Sequence, residues 1–231
     1  MRSRPWPLRA TDAAVLLATL ALCSPDTLAQ VASPAGGTDM LIDFEDESVG
    51  GPPSSFEMGL TGKGGAVYWA LLRDESAPNG PTVLAETSGD RTSDRFPLAI
   101  LKGFAARDVE VRTRFKPVSG TVDQAAGLMV RVRNENNYYI ARANALEGNV
   151  RLYKVVNGQR RQFAGADVEV PAGVWQELGL KVEGDRLTVL LDGKALFRAT
   201  DRTFTEAGQV GLWTKADSLT HFDDLVVHRL P

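Results

Sequence analysis

The sequence predicts an all-β protein, an antiparallel sandwich or barrel, and three observations support this prediction. Short segments with apolar residues at every second position recur through the second half of the chain. Turns with glycine, of the kind that hairpins use, occur at Gly158, Gly184 and Gly193. Helical periodicity is almost absent. Many short strands joined by hairpins, without helices between them, are typical of such folds.

The clearest strand reads "DVEVRTRFK", from Asp108 to Lys116. One side of it is mainly apolar and consists of Val109, Val111, Thr113 and Phe115. Successive side chains of a strand point to opposite faces, so we expect this side to lie in the core. Further segments of the same kind follow: "GLMVRVR", "NYYIARAN", "NVRLYKVV", "WQELGLKVEG", "DRLTVLLDG", "KALFRATD", "GQVGLWTK" and "HFDDLVVHRL".

The N-terminal segment has the pattern of a secretory signal peptide. Arginines precede the apolar run "AAVLLATLALC", and "DTLAQ" offers a cleavage site after Ala29. We therefore predict a signal peptide at residues 1–29, a linker at 30–40, a β-domain at 41–231 and a secreted or periplasmic location. The sole cysteine, Cys23, lies in the predicted signal peptide. Lipidation is an alternative, although Leu22 is not the small residue that a lipoprotein signal places there.

Composition limits the classes of partner. The chain has 231 residues, a formal charge of -3 and 43% hydrophobic residues. This is enough for one sizeable domain with a core, and the charge predicts no general attraction to nucleic acid. Beyond the signal peptide we expect no membrane span. The sequence leaves the oligomeric state open.

Two consecutive hairpins are predicted to gather polar side chains on one face. We expect the first to turn at residues 134–137, with Arg133 opposite Tyr138, and the second to turn at 147–148. One face then comprises Met129, Arg131, Arg133, Tyr138, Ile140, Arg142, Asn144, Asn149, Arg151 and Tyr153. The other, the predicted core face, comprises Leu128, Val130, Val132, Tyr139, Ala141, Ala143, Val150 and Leu152. Lys154 is the one residue that does not fit this separation.

The polar face has two interpretations. Antiparallel sheets usually have one solvated face, on which arginine is common. Against this, the face holds four arginines and no acid, and its tyrosines would expose aromatic area without structural benefit. Arg, Tyr and Asn side chains can bind hydroxyl or carboxylate oxygens and stack on a sugar ring. In "GQVGLWTK" the same alternation places Trp213 and Lys215 opposite the core, and both join this face if the strand belongs to the same sheet.

Three segments resemble the concanavalin A-like lectin/glucanase superfamily: "LIDFEDESVGGPP" at the start, residues Trp175 to Phe197, and the closing "GQVGLWTKADSLTHFDDLVV". Within it the chain looks most like the laminin-G-type and 3-keto-disaccharide hydrolase domains of exported bacterial proteins. The resemblance implies a jelly roll of two stacked sheets, with a ligand held on the concave side. The candidate carbohydrate-binding residues are then Arg131, Arg133, Tyr138, Arg142, Asn144, Arg151, Tyr153, Trp213 and Lys215.

The resemblance leaves enzymatic activity open. Related endoglucanases carry two glutamates that bracket an aspartate on one strand, and this sequence lacks that arrangement. If the chain is an enzyme, we expect a glycoside hydrolase or lyase of another type, such as the 3-keto-disaccharide hydrolases. Asp123, Glu177 and Asp217 are acids that would serve it, although each also fits a surface position. A third hypothesis is a non-catalytic module that binds another exported protein or a cell-surface polymer.

Other chemistry finds little support in the sequence. The two histidines, His221 and His228, have no serine or carboxylate at motif spacing, and no zinc or phosphate-binding motif occurs. We expect no cofactor, with one exception. Members of the superfamily often join their first and last strands through a calcium ion, and Glu45 with Asp223 or Asp224 would supply its oxygen ligands. The alternative is that "FDDL" places apolar residues in the core and its acids outside.

Overall fold

The computed structural model describes residues 39–231, which form fifteen β-strands and no helix. The strands are β1 (Asp39–Ile42), β2 (Phe56–Gly62), β3 (Trp69–Arg73), β4 (Thr82–Glu86), β5 (Arg95–Leu101), β6 (Val109–Ser119), β7 (Ala125–Asn134), β8 (Asn137–Asn144), β9 (Asn149–Val156), β10 (Gln159–Asp167), β11 (Gln176–Glu183), β12 (Arg186–Leu191), β13 (Lys194–Thr200), β14 (Gln209–Trp213) and β15 (Leu219–Arg229). The signal peptide and most of the linker predicted from the sequence lie outside the described residues. No helix in residues 39–231 is long and apolar enough to cross a membrane.

The strands form two antiparallel sheets, which confirms the predicted two-sheet sandwich. The first sheet has the order β13-β12-β11-β6-β15-β4-β3, with β1 paired to β15. The second has the order β10-β9-β8-β7-β14-β5-β2. Consecutive strands form hairpins at β7-β8, β8-β9, β9-β10, β11-β12 and β12-β13. The turns at Gly158, Gly184 and Gly193 have positive φ, as the hairpin prediction requires.

The main core lies between the two sheets. Strand β6 alternates as predicted, since Val109, Val111, Thr113 and Phe115 are buried and the residues between them are half-buried. Both sheets contribute large apolar side chains to this core, among them Phe115, Leu180, Val189 and Phe222 from the first and Leu128, Tyr139, Leu152 and Leu212 from the second. Burial of this apolar surface is the main force that holds the sheets together.

The second sheet also buries its other face. A second core there consists of Phe96, Leu98, Ile100, Ala125, Met129, Val132, Tyr138, Ile140, Tyr153, Val155 and Trp213. Three strands lie between β2 and β8, which would separate them by about 19 Å in a flat sheet. Yet the Thr61 hydroxyl on β2 lies 2.9 Å from the Tyr138 hydroxyl on β8. The sheet is therefore strongly curved, and the second core fills its concave face.

A polar contact ties the second sheet to the segment that follows β13. Tyr139 donates a hydrogen bond from its hydroxyl to Asp201 (2.6 Å), and the Lys154 ammonium lies 2.6 Å from the same carboxylate. Burial by itself would raise the pKa of Asp201, but hydrogen bonds from Lys154, Thr203 and Tyr139 outweigh it and lower the pKa to about 2. The contact explains the position of Lys154 on the core face, because its ammonium reaches a buried acid.

We predict that Asp201→Asn lowers the free energy of unfolding by about 2 kcal/mol at pH 7, because three charge-assisted contacts lose their anion. The folded-state pKa of Asp201 is below its ordinary value of 3.8. Its stabilisation is therefore present above about pH 4 and is lost as the pH falls through about 2. Urea unfolding of both proteins between pH 7 and pH 2 measures the effect.

The matched control is Asp185→Asn, which removes the acid of an exposed ion pair with Arg202, the residue that follows Asp201. It should change stability little at either pH. Equal effects of the two substitutions at pH 7 would contradict the structural role of Asp201.

Candidate functional site

The predicted separation of the two faces is confirmed over most of β7, β8 and β9. Of the eight residues assigned to the core face, all except Val132 lie in the core between the sheets. Met129, Tyr138, Ile140 and Tyr153 lie together on the concave face. The observed pairs Met129–Ile140 and Asn144–Asn149 are shifted by two residues from the expected registers. A shift of two preserves the faces, because side chains alternate with a period of two.

Arg131 departs from the predicted face, and its assignment there is wrong. It has φ 49° and lies within an irregularity of the β7-β8 pairing, which moves Val132 to the concave face instead. Its guanidinium is buried and donates to the carbonyl oxygens of Arg107, Phe204 and Gly184 and to Asp108. All of these partners lie outside the concave face. Arg131 therefore has a structural role at the end of the sandwich and does not belong to the concave face.

Arg133 is exposed and lies apart from the other predicted site residues. Its guanidinium carbon lies 5.2 Å from the centre of the Phe204 ring. It lines a pocket of about 350 Å³ near the β7-β8 turn, together with Glu57, Glu135 and Gln209. This pocket shares no lining residue with the one described below.

The predicted aromatic side chains are on the concave face but are not exposed. Tyr138 and Trp213 are fully buried and Tyr153 is 7% exposed, so the expectation of an open aromatic surface is wrong. Strand β14 lies between β7 and β5, and Phe96 of β5 stacks on Trp213 with ring centres 5.4 Å apart. Gly127 makes room for this ring, because a Cβ there would lie 3.0 Å from it. Phe96, Tyr138, Tyr153 and Trp213 thus form a buried aromatic layer on the concave face, which we call the aromatic floor.

This floor is internally hydrogen-bonded. Trp213 donates from its indole nitrogen to the Tyr138 hydroxyl at 3.2 Å, and the Thr61 hydroxyl lies 2.9 Å from the same oxygen. Burial raises the pKa of Tyr138 to about 12, although both hydrogen bonds and the charge of Arg160 oppose the increase. Tyr138 is thus a neutral structural residue at ordinary pH.

Arg160 on β10 covers the floor. Its guanidinium carbon lies 4.6 Å from the ring centre of Tyr153, 4.7 Å from that of Phe96 and 5.7 Å from that of Trp213. Such contacts with aromatic faces are favourable for arginine and hold the guanidinium in place. Arg160 is not among the binding residues predicted from the sequence. The strand pairing could have been extended through the turn at Asn157 and Gly158. Paired residues share a face, and Arg160 pairs with Val155, which pairs with Tyr138 on the concave face.

The charge of Arg160 has no counterion among residues 39–231. It forms no hydrogen bond or ion pair there, and its Nη1 atom is buried without a partner. Burial lowers the pKa of Arg160; among its neighbours Tyr153 and Asp123 act to raise it and Arg142 to lower it. The guanidinium remains charged at ordinary pH, since an arginine pKa lies far above this range.

A pocket of about 380 Å³ adjoins this guanidinium. We call it the Arg160 pocket; its lining consists of Gly62, Lys63, Asp94, Phe96, Gly158, Gln159 and Arg160. Its walls come from the end of β2, the start of β5 and the β9-β10 turn, which the curvature of the second sheet brings together. The volume falls in the range of about 300–1,000 Å³ that is usual for small-molecule sites.

Beside the aromatic floor lies a row of paired polar groups, which we call the polar strip: Asp123, Arg142, Asn144, Glu147, Asn149 and Lys215. Arg142 donates to Glu147 at 2.6 Å and to Asn149 at 2.7 Å. Lys215 and Asn144 donate to the two oxygens of Asp123 at 2.5 and 2.7 Å. Arg142 also lies over the Tyr153 ring at 5.5 Å, and its buried Nε has no partner.

The remaining predicted residues occupy separate places. Arg151 pairs with the exposed Asp167 at 2.5 Å on the rim. Of the candidate catalytic acids, Asp123 belongs to the polar strip, whereas Glu177 lies on the first sheet near Arg114. Asp217 accepts hydrogen bonds from three consecutive backbone amides of the β6-β7 turn, which is a structural role.

The acids proposed for calcium lie near one another around the β3-β4 loop. The side chain of Glu45 accepts two hydrogen bonds from Thr82, and Asp224 accepts one from the Asn79 side chain. Burial, Asp224 and Glu45 together raise the pKa of Asp223 to about 7. Within residues 39–231, however, no group of three or more His, Cys, Asp and Glu side chains is arranged to hold a metal ion. The calcium site stays a prediction.

Solved structures with similar folds agree with the architecture. The carbohydrate-binding module CBM66 from Bacillus subtilis is 22% identical, with a TM-score of 0.54 over 68% of this chain and 92% of that one. The exoplasmic domain of VIP36, in a Ca²⁺/Man3GlcNAc-bound form, is 12% identical, with a TM-score of 0.52 over 77% and 84%. The β-glucanase of Bacillus licheniformis is 9% identical, with a TM-score of 0.51 over 86% and 100%.

These likenesses establish the fold and confirm the predicted resemblance to the concanavalin A-like lectin/glucanase superfamily. A search of curated proteins finds no significant match. At the sequence level, residues 107–230 match the family described as "Galactocerebrosidase, C-terminal lectin domain". The match covers strands β6 to β15, more than half of the chain and all of the polar strip. The chain therefore belongs to the family of galactocerebrosidase C-terminal lectin domains.

Proposed function

We propose that this domain binds carbohydrate on the concave face of its second sheet, at the Arg160 pocket and the adjoining polar strip. Membership of a lectin-domain family and a fold shared with carbohydrate-binding modules support the general activity. The observation that carries the location is the guanidinium of Arg160, which is held against three aromatic rings and has no partner in the described part of the chain.

Arg160 is suited to this role because it is already fixed in place. A free arginine side chain loses rotamer freedom when it binds a ligand, at a cost of about 1.5–2 kcal/mol. Packing against Phe96, Tyr153 and Trp213 meets part of this cost during folding. The donors of its guanidinium can then bind two neighbouring oxygens of a sugar.

The polar strip extends the proposed site. Its ion pairs hold Arg142 and Lys215 in single positions, and Asn149 adds an amide next to Arg142. Tyr153 lies under both arginines, so it supports the site from below. Tyr153 and Phe96 are only 7% and 5% exposed, so little of either ring is accessible to a sugar. Stacking on these rings therefore contributes less to the proposed site than the sequence predicts.

Two further expectations from the sequence are part of the proposal. The leader-like segment at residues 1–29 supports a secreted or periplasmic location, where free glycans and polysaccharides are accessible. Catalysis on a glycoside is the alternative to simple binding, and Asp123 in the polar strip is the acid that would serve it. Release of a reducing end or of a keto sugar from a bound oligosaccharide would favour the enzyme.

Calcium at Glu45, Asp223 and Asp224 also remains a proposal. The raised pKa of Asp223 supports it, since acids that repel one another in a buried place are stabilised by a cation. Such an ion would act at a distance from sugar binding, by joining the segment after β1 to β15.

We predict that Arg160→Met abolishes or weakens glycan binding at least tenfold, because it removes the donors and keeps an apolar stem over the rings. Binding is measured on a glycan array and then by isothermal titration calorimetry with the glycans that bind. Arg160→Lys retains the charge without the planar fork and should give an intermediate affinity.

Arg161→Met is the matched control. Arg161 follows on the same strand, is exposed and points to the other side, where it pairs with Lys154 across the hairpin. It should leave affinity unchanged, and near-ultraviolet circular dichroism shows whether each variant keeps its aromatic packing. Full binding by a folded Arg160→Met protein would place the sugar site elsewhere.

For calcium we predict a higher melting temperature in excess Ca²⁺ than in EDTA, and a loss of this difference in Asp223→Asn. The folded-state pKa of Asp223 is above its ordinary value, so its effect on stability is most favourable below about pH 4 and is lost as the pH rises through about 7. The Ca²⁺ effect should therefore be larger at pH 8 than at pH 5.5. Identical melting curves with Ca²⁺ and EDTA at pH 8 would exclude the site.

A further inference from the structure

We propose that the ligand of the Arg160 pocket is an acidic glycan, one that carries a sugar carboxylate such as a uronate, and that this carboxylate pairs with Arg160. The inference rests on the proposed carbohydrate-binding function and names the class of sugar. Three observations carry it: the balance of charges on the concave face, the free edge of one guanidinium, and the net charge of the pocket.

Three cations of the polar strip and its rim each have a carboxylate partner. Lys215 lies 2.5 Å from Asp123, Arg142 lies 2.6 Å from Glu147, and Arg151 lies 2.5 Å from Asp167. Arg160 differs from these three, because no carboxylate of residues 39–231 lies within ion-pair distance of it, and Lys63 beside the same pocket also forms no ion pair there. A partly buried charge without a counterion is unfavourable for the folded protein, so an anion at this position would be bound strongly.

The exposed part of the guanidinium has the shape that a carboxylate requires. Nη1 is buried and has no hydrogen-bond partner. Nε and Nη2 form no hydrogen bond to a described residue, and together they make one edge of the planar group. A carboxylate can accept two parallel hydrogen bonds from such an edge, and charge-assisted bonds of this kind are about twice as strong as neutral ones.

The surroundings of this edge are positive as well. Lys63 and Arg160 line the pocket with a single acid, Asp94, so the lining has a formal charge of +1. Beyond the lining, Arg142 acts to lower the pKa of Arg160 and Asp123 acts to raise it, so the polar strip adds charges of both signs. A neutral sugar would leave this charge uncompensated. A carboxylate on the sugar ring would neutralise it, while ring hydroxyls contact Gln159 and the backbone of the β9-β10 turn.

The test compares sugars that differ only in their charge. Oligogalacturonides and their methyl esters, alginate oligomers, and neutral galactan and xylan oligomers are titrated into the domain by calorimetry at physiological salt. We expect the acid form of at least one uronate oligomer to bind about tenfold more tightly than its methyl ester or the neutral oligomers. Arg160→Met should abolish that preference, whereas Arg161→Met should retain it.

The outcomes separate this inference from the function on which it rests. Equal affinity for the acid and the ester, or binding of neutral oligomers alone, would overturn the acidic ligand and leave carbohydrate binding intact. Binding of sulfated but not carboxylated oligosaccharides would also overturn it, since the carboxylate is the group we assign. Failure of every oligomer on the panel and on a glycan array to bind would overturn both.

Discussion

The structure depends on the burial of both faces of the second sheet. A sheet in a sandwich normally packs one face on the core and leaves the other to solvent. Here the hydroxyl groups of Thr61 and Tyr138 meet across three intervening strands, and the aromatic rings between them are removed from water. The apolar part of the concave face is therefore filled by its own side chains. The Arg160 pocket and the polar strip lie beside this filled part and carry fixed polar groups.

The distribution of arginines follows from the same constraint. Burying a guanidinium costs free energy unless hydrogen bonds and a counterion compensate. Arg131 meets this requirement with three backbone carbonyl oxygens and Asp108, and Arg142 meets it with Glu147 and Asn149. Arg160 instead has aromatic rings as neighbours, which stabilise a cation and leave its donors free. Arg131 and Arg142 are therefore held by polar partners, whereas Arg160 is held by aromatic rings.

The fold of this domain does not by itself decide its function. Similar folds occur in a carbohydrate-binding module, in a VIP36 domain solved with Man3GlcNAc bound and in a glucanase, so the fold is compatible with both binding and catalysis. The family match adds that the chain is related to lectin domains. The proposal of an acidic ligand rests instead on the chemistry of the concave face, where a pocket with a lining charge of +1 adjoins a fixed planar donor.

The sequence by itself determined most strands after Asp108, their hairpins and the alternation of side chains, because these follow from local periodicity and turn residues. It did not define β10 or the strands before β6. It correctly placed Arg142 and Tyr153 on one face, since a register error of two leaves the faces unchanged. Trp213 joins them because β14 pairs with β7, the condition that the sequence left open. Only the tertiary structure decided which of them are exposed. The pairing of β14 with β5 brings Phe96 onto Trp213, and a local irregularity turns Arg131 away. Contacts across long connections, and the curvature they create, leave no periodic pattern in the sequence from which to read them.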